Sequence, residues 1–399
     1  MGRRRFLALG LTGTAAAMAL GTTQIGRVAG LVAGPAAAAG SRTYELTITD
    51  AMVEMVDLDP VYHWVFADVD GAHLPGRTLH AVEGDPVTIA VTNDLDEPHA
   101  FAIHDTGITT GPIAPGDRRE ITFNAPAAGT YIYLDPLNAP INRLLGLHGI
   151  LIVLPRSGNS PYSSPPPRLK RLFDDLGTTA HFPGDPWRTE RTVLWHVHSV
   201  DIRWNRLAGT GAPLDPARVM SDFQTTYFTL NGSSGFFASH KRENAPVGRI
   251  GQPHVIRIAN TGLTAHSLHI HGNHVYVCSH NGAPSTSVRF VDTWRVGPLE
   301  RADWLLPFVK PPDICGPEAR PLREVMPQEL RYRDDYGIAQ CPVEYPMHCH
   351  MEPSQAAKGG NYPGGLVTHW AITGDVGVDF ADAGFDCLPT SALAVPHVH

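Results

Sequence analysis

The chain has 399 residues, enough for two ordinary domains with sizeable hydrophobic cores. Its 39 Gly and 35 Pro fall short of a low-complexity composition, but they can separate many short strands by turns, which favours an all-β fold. The formal net charge is −8, and without residues 1–39 it becomes −12, because 27 basic and 39 acidic side chains remain. So acidic a chain offers no evident basic face, and we therefore predict no nucleic-acid partner.

The first 39 residues have the features of an export signal. Residues 3–7 (RRRFL) resemble the twin-arginine signature, and an apolar run over 6–20 leads to an Ala-rich stretch at 36–39. A single membrane anchor is the alternative, but the apolar run is short and interrupted by Gly. We predict a signal peptide over 1–39, export to the periplasm, the cell surface or the medium, and no membrane span after signal removal.

An internal repeat organises the rest of the chain. At an offset of 167 residues, residues 84–93 match 251–260 in their Gly, Pro, Ile and Asn, and residues 99–104 match 266–271. Further on, Gly111-Pro112 with Asp117 corresponds to Gly297-Pro298 with Asp303. The sequence therefore predicts a tandem duplication.

Each repeat consists of short β-branched or aromatic runs, such as 87–91, 149–154 and 254–258, separated by Gly, Pro and Asn turns. This pattern is typical of antiparallel Greek-key β-sandwiches. We predict an N-terminal domain over 42–154, a Pro/Ser-rich linker over 155–188 with a short helix around 170–176, a C-terminal domain over 189–374 and a tail over 375–399.

Two motifs in the second repeat carry metal-binding side chains. In residues 266–271 (HSLHIH), strand alternation puts His269 and His271 on one face, while His266 stands at the start of the strand. In residues 348–350 (HCH), the two imidazoles share one face and the Cys349 thiol lies on the other. A soft thiolate with imidazoles is the ligand set of copper electron-transfer sites.

These two segments resemble the third and fourth copper motifs of the multicopper oxidases, and residues 291–294 (VDTW) resemble the stretch between those motifs. The resemblance implies two cupredoxin-like domains with copper as cofactor. It also implies that His266 and Cys349 bind type 1 copper, while the type 2/type 3 cluster takes His269, His271, His348 and His350.

The sequence departs from the family pattern after Cys349. Ser354 stands where the family has a second type 1 histidine, and Gly359 stands where it has the axial residue. The nearby substitutes are His369, Gln355 and Met351.

The first repeat departs further. Where the family has two His-x-His motifs, residues 102–104 (AIH) and 134–136 (LDP) offer only His104, which we include as a candidate metal ligand. A standard trinuclear cluster takes eight histidines, so the chain alone supplies five. Two C-terminal domains meeting in a homo-oligomer would supply eight, since a twofold contact duplicates the same surface.

Other histidines leave two interpretations open. His99 and His148 lie at the edge of the first repeat, and residues 195–198 (WHVH) place two imidazoles on one strand face. For His99 and His148, a remnant metal contact and a structural role are equally good explanations. For residues 195–198, ligand-like spacing and a solvent-facing strand are equally good explanations.

Five cysteines are an odd number for an exported chain. With Cys349 as a ligand, the other four could form two disulfides. Cys315 with Cys341 is the favoured pair, because both flank a charged, Pro-containing insertion between strands.

Two functions remain. The first is a copper oxidoreductase that takes electrons from a small phenolic, amine or metal-ion donor, with dioxygen as acceptor. The second is an exported copper-binding or electron-carrier protein without oxygen turnover, which the same ligands would support. A cofactor-free sandwich with relic ligands is a third interpretation, and the intact motif at 348–350 argues against it.

Overall fold

A computed structural model describes residues 40–313, 343–358, 360 and 363–379. The strands of these residues are β1 (Arg42–Glu54), β2 (Pro60–Ala67), β3 (Leu79–Val82), β4 (Pro86–Asn93), β5 (Ala102–Ile103), β6 (Arg118–Asn124), β7 (Gly129–Leu134), β8 (His148–Leu154), β9 (Thr192–Val200), β10 (Tyr227–Leu230), β11 (Val247–Gly248), β12 (His254–Asn260), β13 (His266–Ile270), β14 (Val275–His280), β15 (Ala283–Val291), β16 (Thr293–Val296), β17 (Arg301–Leu306), β18 (Val343–Cys349), β19 (Val367–Ile372), β20 (Gly374–Asp375) and β21 (Val378–Asp379).

The helices of the described residues are α1 (Ile141–Leu144), α2 (Pro167–Asp175), α3 (Ile202–Gly209), α4 (Pro216–Asp222) and α5 (Gly235–Ser239), with single 3-10 turns at Arg242–Asn244 and Glu352–Gln355. Within this part of the chain, no helix has the length and apolar character needed to cross a bilayer. Strands dominate, which confirms the predicted all-β class. The predicted signal segment, 1–39, lies outside the described residues.

Four sheets carry the fold, in the orders β2-β1-β4-β6 (sheet I), β3-β8-β7-β5 (sheet II), β10-β9-β12-β17-β14-β15 (sheet III) and β11-β19-β18-β13-β16 (sheet IV). In sheet I, β4 pairs parallel with β1 and antiparallel with β6, and in sheet III β12 pairs in the same way with β9 and β17. In sheet II, β8 lies parallel to β3 and antiparallel to β7, as β19 does to β11 and β18 in sheet IV. The sequence repeat is therefore a repeated topology, and the two cupredoxin-like sandwiches are confirmed.

Each pair of sheets packs over its own apolar core. Ile48, Phe101 and Tyr133 lie fully buried between sheets I and II. Trp304 and Trp370 do the same between sheets III and IV. Each such side chain stabilises the fold by about 1.5–3 kcal/mol relative to its exposed state.

The predicted linker is a packed cover on sheet III. All seven residues of β12 are buried, because one face contacts the core and the other is covered by this segment. Tyr162, Phe173 and Trp187 form an apolar cluster with Val255 of β12. Helix α2 begins at Pro167, since proline is favoured in the first turn, and it buries three apolar side chains.

A buried polar network joins the two repeats and this cover. Asp303 on β17 accepts hydrogen bonds from Thr130 Oγ1 on β7 and from Tyr162 Oη, each at 2.7 Å. The guanidinium of Arg257 donates to the same carboxylate at 3.3 Å, and both ionic side chains are at most 1% exposed. By accepting these hydrogen bonds, the buried carboxylate fixes the positions of β7, β12 and β17 relative to one another.

Candidate metal centres

The register between β13 and β18 brings the two predicted motifs side by side. Leu268 lies opposite Cys349, and His269 lies opposite His348. Because successive side chains alternate across a sheet, Leu268 and Cys349 face the core, while His269 and His348 face outward. The burial of the two strands follows this alternation.

The outward face gathers four imidazoles, here called the outer cluster: His269, His271, His348 and His350. Ring nitrogens of His269, His348 and His350 all lie within 4.8 Å of one another. His271 Nε2 is 3.1 Å from His348 Nε2. The sequence predicted that these four side chains share one face, and the structure places them within reach of shared metal ions.

The surroundings of His269 and His271 favour metal binding. His269 Nδ1 donates to the Asp292 carbonyl oxygen at 3.0 Å, which leaves its Nε2 lone pair free. Burial and the neighbouring His271 lower the pKa of His269, and Asp292 opposes this shift. Burial and His348 likewise lower the pKa of His271. Neutral imidazoles are the form that ligates metals.

The partners of His269 come from the segment between the two histidine motifs. His269 Nδ1 lies 2.9 Å from Thr293 Oγ1 as well as 3.0 Å from the Asp292 carbonyl oxygen. The sequence singled out residues 291–294 only for their resemblance to the family. Their position beside a candidate ligand shows a physical task for them, which is to orient the ring.

On the core side of the same strands lie His266 and Cys349, here called the inner pair. Cys349 Sγ is 3.7 Å from His266 Nδ1, and both residues are fully buried. Burial raises the pKa of the Cys349 thiol, although the nearby Ser354 hydroxyl and the Met351 N–H oppose the rise. Burial lowers the pKa of His266 to about 4. The two donor atoms lie close enough for one ion to contact both.

Ser354 occupies the inner site where the family pattern has a histidine. It is fully buried, and its hydroxyl donates to the Met351 carbonyl oxygen at 2.7 Å. His369 is no replacement, because its register opposite Pro346 turns it to the outer side of sheet IV, where it lies 3.5 Å from Glu344. The side chain of Met351 is 40% exposed.

His104 lies in the first repeat, in a different setting. Its Nε2 is 3.2 Å from Asp105 Oδ1. Burial lowers its pKa, and the negative charge of Asp105 opposes this shift. A role of His104 as a metal ligand stays a prediction.

Histidines that the sequence left open take two different positions. His99 Nδ1 lies 2.7 Å from Asp135 Oδ2 in a buried hydrogen bond of the first repeat. His148, His196 and His198 instead pack against each other, with His63 belonging to the same buried group. His63 carried no signal in the sequence, because it stands alone in a strand.

Cys278 corrects the disulfide expectation. It is a free, buried thiol that donates to the Tyr276 carbonyl oxygen at 3.3 Å, so its expected place in a disulfide is wrong. Cys278 lies on strand β14, and its side chain packs in the apolar cluster that residues 155–188 form on sheet III. Cys315, Cys341 and Cys387 lie outside the described residues.

The donors of both sites fit copper. The inner pair combines a soft thiol sulfur with an imidazole, and His266 Nε2 has no hydrogen-bond partner in the described structure. The outer cluster offers only imidazoles. Thiolate with imidazole is the ligand set of copper electron-transfer sites, and imidazole ligands suit copper as well as zinc, iron and nickel.

Comparisons with known proteins agree with this chemistry. Residues 68–158 match the family model described as multicopper oxidase. Laccase-20 of Oryza sativa subsp. japonica is 33% identical over 115 residues, which are 24% of this chain and 18% of that protein. Dihydrogeodin oxidase of Aspergillus terreus is 27% identical over 199 residues, 46% of this chain and 28% of that protein. The chain thus spans less than a third of the length of these relatives.

Solved structures share the fold. The blue copper oxidase from Nitrosomonas europaea has a TM-score of 0.58 at 21% identity, over 84% of this chain and 86% of that one. The copper nitrite reductase from Nitrosomonas europaea has a TM-score of 0.55 at 16% identity, over 88% of this chain and 100% of that one. The fold and the two histidine-rich strands define a cupredoxin-type protein. Residues 68–158 are thus similar to the multicopper oxidases, and copper is the cofactor that this similarity implies.

Proposed function

We propose that this chain is an exported copper-dependent oxidoreductase that oxidises a small phenolic, amine or metal-ion donor and passes the electrons to dioxygen. One observation carries the proposal: Cys349 of the inner pair stands between His348 and His350 of the outer cluster. Copper, when bound, supplies one-electron chemistry at both positions.

The inner pair lies in a buried site from which water is excluded. Cys349 and His266 are fully buried, and the His266 ring meets Phe228 edge-on at 5.6 Å between centroids. A water-free setting keeps the thiolate from protonation by solvent once a metal is bound, and it strengthens electrostatic interactions. The hydroxyl of Ser354 is the other side-chain polar group at this sulfur.

We assign the outer cluster to the reaction with the electron acceptor. His271 and His350 are exposed, so a small molecule such as dioxygen can reach them directly. The backbone of residues 348–350 connects this face with the buried thiol, which gives electrons a short covalent route between the two sites. The pairing register of β13 and β18 determines where this covalent route lies relative to the other ligands.

A second candidate is a copper-binding or electron-carrier protein without oxygen turnover. Two observations favour it: the outer cluster has four histidines, and His104 contacts Asp105 rather than this cluster in the described structure. If a second copy of the chain covered the outer cluster, the two copies would together supply eight histidines. We propose that such a homo-oligomer is the state required for oxygen turnover.

Copper content, absorption and oxygen uptake separate these functions. In the Cys349→Ser chain we expect the intense thiolate-to-copper absorption to vanish while copper stays at the outer cluster. In the His350→Ala chain we expect the reverse, with outer copper lost and the thiolate absorption kept. His369→Ala removes an imidazole from the same side of sheet IV and is the matched control.

Under the oxidase proposal, the wild type consumes oxygen with a phenolic donor, and both ligand variants stop doing so. A wild type that binds copper and cycles reversibly without oxygen uptake establishes the carrier. A wild type that retains no copper after dialysis overturns both.

A further inference from the structure

The first repeat contains three hydrogen-bonded polar side chains at the position that corresponds to the inner pair of the second repeat. His99, Asp135 and Asn142, here called the first-repeat triad, are each at most 2% exposed. Because a carboxylate only accepts hydrogen bonds, His99 Nδ1 donates to Asp135 Oδ2, at 2.7 Å. Asn142 Nδ2 donates to the same oxygen at 2.7 Å. At the offset of 167 residues, His99 corresponds to His266 of the inner pair.

Strand pairing places Asp135 where the second repeat has Cys349. On β7, Leu134 pairs with Ala102 of β5. At the offset of 167 residues, Ala102 corresponds to His269, and the partner of His269 on β18 is the residue directly before Cys349. Leu134 is likewise the residue directly before Asp135. Asp135 and Cys349 therefore occupy equivalent positions in the two sandwiches.

The surroundings of the two positions match as well. In each repeat, the backbone N–H two residues further along the chain donates to the side chain at this position, from Leu137 to the carboxylate at 2.9 Å and from Met351 to the thiol at 3.4 Å. An aromatic ring meets the histidine edge-on in both repeats, Trp64 at 5.1 Å and Phe228 at 5.6 Å between centroids. These two rings lie on β2 and β10, the corresponding edge strands of sheets I and III. The framework of the inner pair is thus present twice, with different side chains at its centre.

The hydrogen bonds of the first-repeat triad use the atoms that would bind a metal ion. The Asp135 carboxylate accepts from three N–H groups, those of His99 Nδ1, Asn142 Nδ2 and the Leu137 backbone. His99 Nδ1 carries a proton and so has no lone pair for a metal. A carboxylate is also a hard ligand, whereas copper electron-transfer sites use a soft thiolate.

We propose that the first repeat keeps a second copy of the inner site, in which the first-repeat triad takes the place of the metal. The triad links the segment before β5, the end of β7 and helix α1, which are the segments that an ion at this position would join. One substitution, Asp135→Cys, removes the hard acceptor and restores a thiol beside an imidazole, so the position should then take copper. The proposal goes beyond the oxidoreductase function and does not rest on it, because its first test uses the metal-free chain.

The first test is urea unfolding of the metal-free chain. Asp135→Ala leaves three buried N–H donors without their acceptor, whereas Cys349→Ala removes only a weak acceptor. We therefore expect a larger fall in the urea midpoint for Asp135→Ala than for Cys349→Ala. Asp135→Asn keeps one acceptor oxygen and should show a smaller fall than Asp135→Ala. Equal falls for the two alanine variants overturn the proposal.

The second test converts the position. The Cys349→Ser chain lacks the thiolate of the inner pair, and adding Asp135→Cys should restore an intense thiolate-to-copper absorption on titration with copper. Adding His99→Phe as well should abolish this absorption. Asp85→Cys in the same Cys349→Ser chain is the matched control, because Asp85 is a buried carboxylate of the first repeat that pairs with Arg156 rather than with an imidazole. We expect no thiolate-to-copper absorption from the control.

Copper content provides a third readout. The wild type and folded Asp135→Asn should bind equal amounts of copper, and a lower copper content in Asp135→Asn overturns the proposal, because the triad would then be a metal site itself. A folded Asp135→Cys chain with no more absorption than the Asp85→Cys control also overturns it. If the wild type shows no thiolate-to-copper absorption, the oxidoreductase proposal fails. In that case, or if Asp135→Cys does not fold, the urea comparison decides the present proposal.

Discussion

Acidification tests the energetic effect of the buried histidines, and His254 is the cleanest probe. Its side chain lies outside the inner pair and the outer cluster. Its Nδ1 lies 2.9 Å from the Gln252 carbonyl oxygen, and its ring centroid is 4.7 Å from that of Phe308. Burial lowers the pKa of His254 to about 4, against about 6.5 in the unfolded chain.

The sign follows from linkage. Because the folded pKa lies below the unfolded value, the unfolded chain takes up the proton first as the pH falls. The contribution of His254 to stability is therefore complete above about pH 6.5 and is lost towards pH 4. For this one imidazole the loss between pH 7 and pH 5 is about 2 kcal/mol of unfolding free energy. His63 and His196, with pKa values lowered to about 4 and about 3, act in the same direction.

The measurement is urea unfolding of the metal-free wild type and of His254→Leu at pH 7 and pH 5. The variant should lose about 2 kcal/mol less than the wild type between the two pH values. His181→Leu, at an exposed histidine, should match the wild type. Equal losses in the wild type and His254→Leu would refute the assignment of acid sensitivity to this imidazole.

Two further predictions concern the buried network and the leader. Asp303→Ala leaves the buried Arg257 without its carboxylate, so urea unfolding should show a loss of about 3–5 kcal/mol, and a loss below about 1 kcal/mol would contradict the role of the network. Replacing Arg3 and Arg4 with Lys should hold the precursor in the cytoplasm, as fractionation would show, and unchanged export would remove the twin-arginine assignment.

The sequence was sufficient for the outer cluster because strand alternation is a local rule. His269, His271, His348 and His350 each occupy the outward phase of their strands, so their common face follows once the strands are recognised. The same rule placed Cys349 on the opposite face. The repeated topology could also be predicted, since equivalent strands of the two repeats carry similar residues in the same order.

Contacts between distant segments could not be predicted in this way. The composition of residues 155–188 predicted a linker with a short helix and gave no sign of its packing. Phe173 and Trp187 pack on β12, because a strand buried on both faces needs a second cover. His148 and His196 were both noticed as histidines with ligand-like positions. The contact between these two side chains depends on how one sandwich packs on the other, and no local sequence pattern predicts that packing.

A single strand, β18, contributes ligands to both proposed copper sites. Cys349 and its neighbours His348 and His350 belong to one backbone segment, so their order cannot change without loss of the strand register. The inner pair is sealed by the core, whereas His271 and His350 are exposed. The fold therefore fixes the path for electron transfer between the two proposed sites. The chemistry of the electron acceptor depends on what covers the outer cluster. A second copy of the chain would enclose that face for oxygen chemistry, and an uncovered face would suit exchange of electrons with a partner.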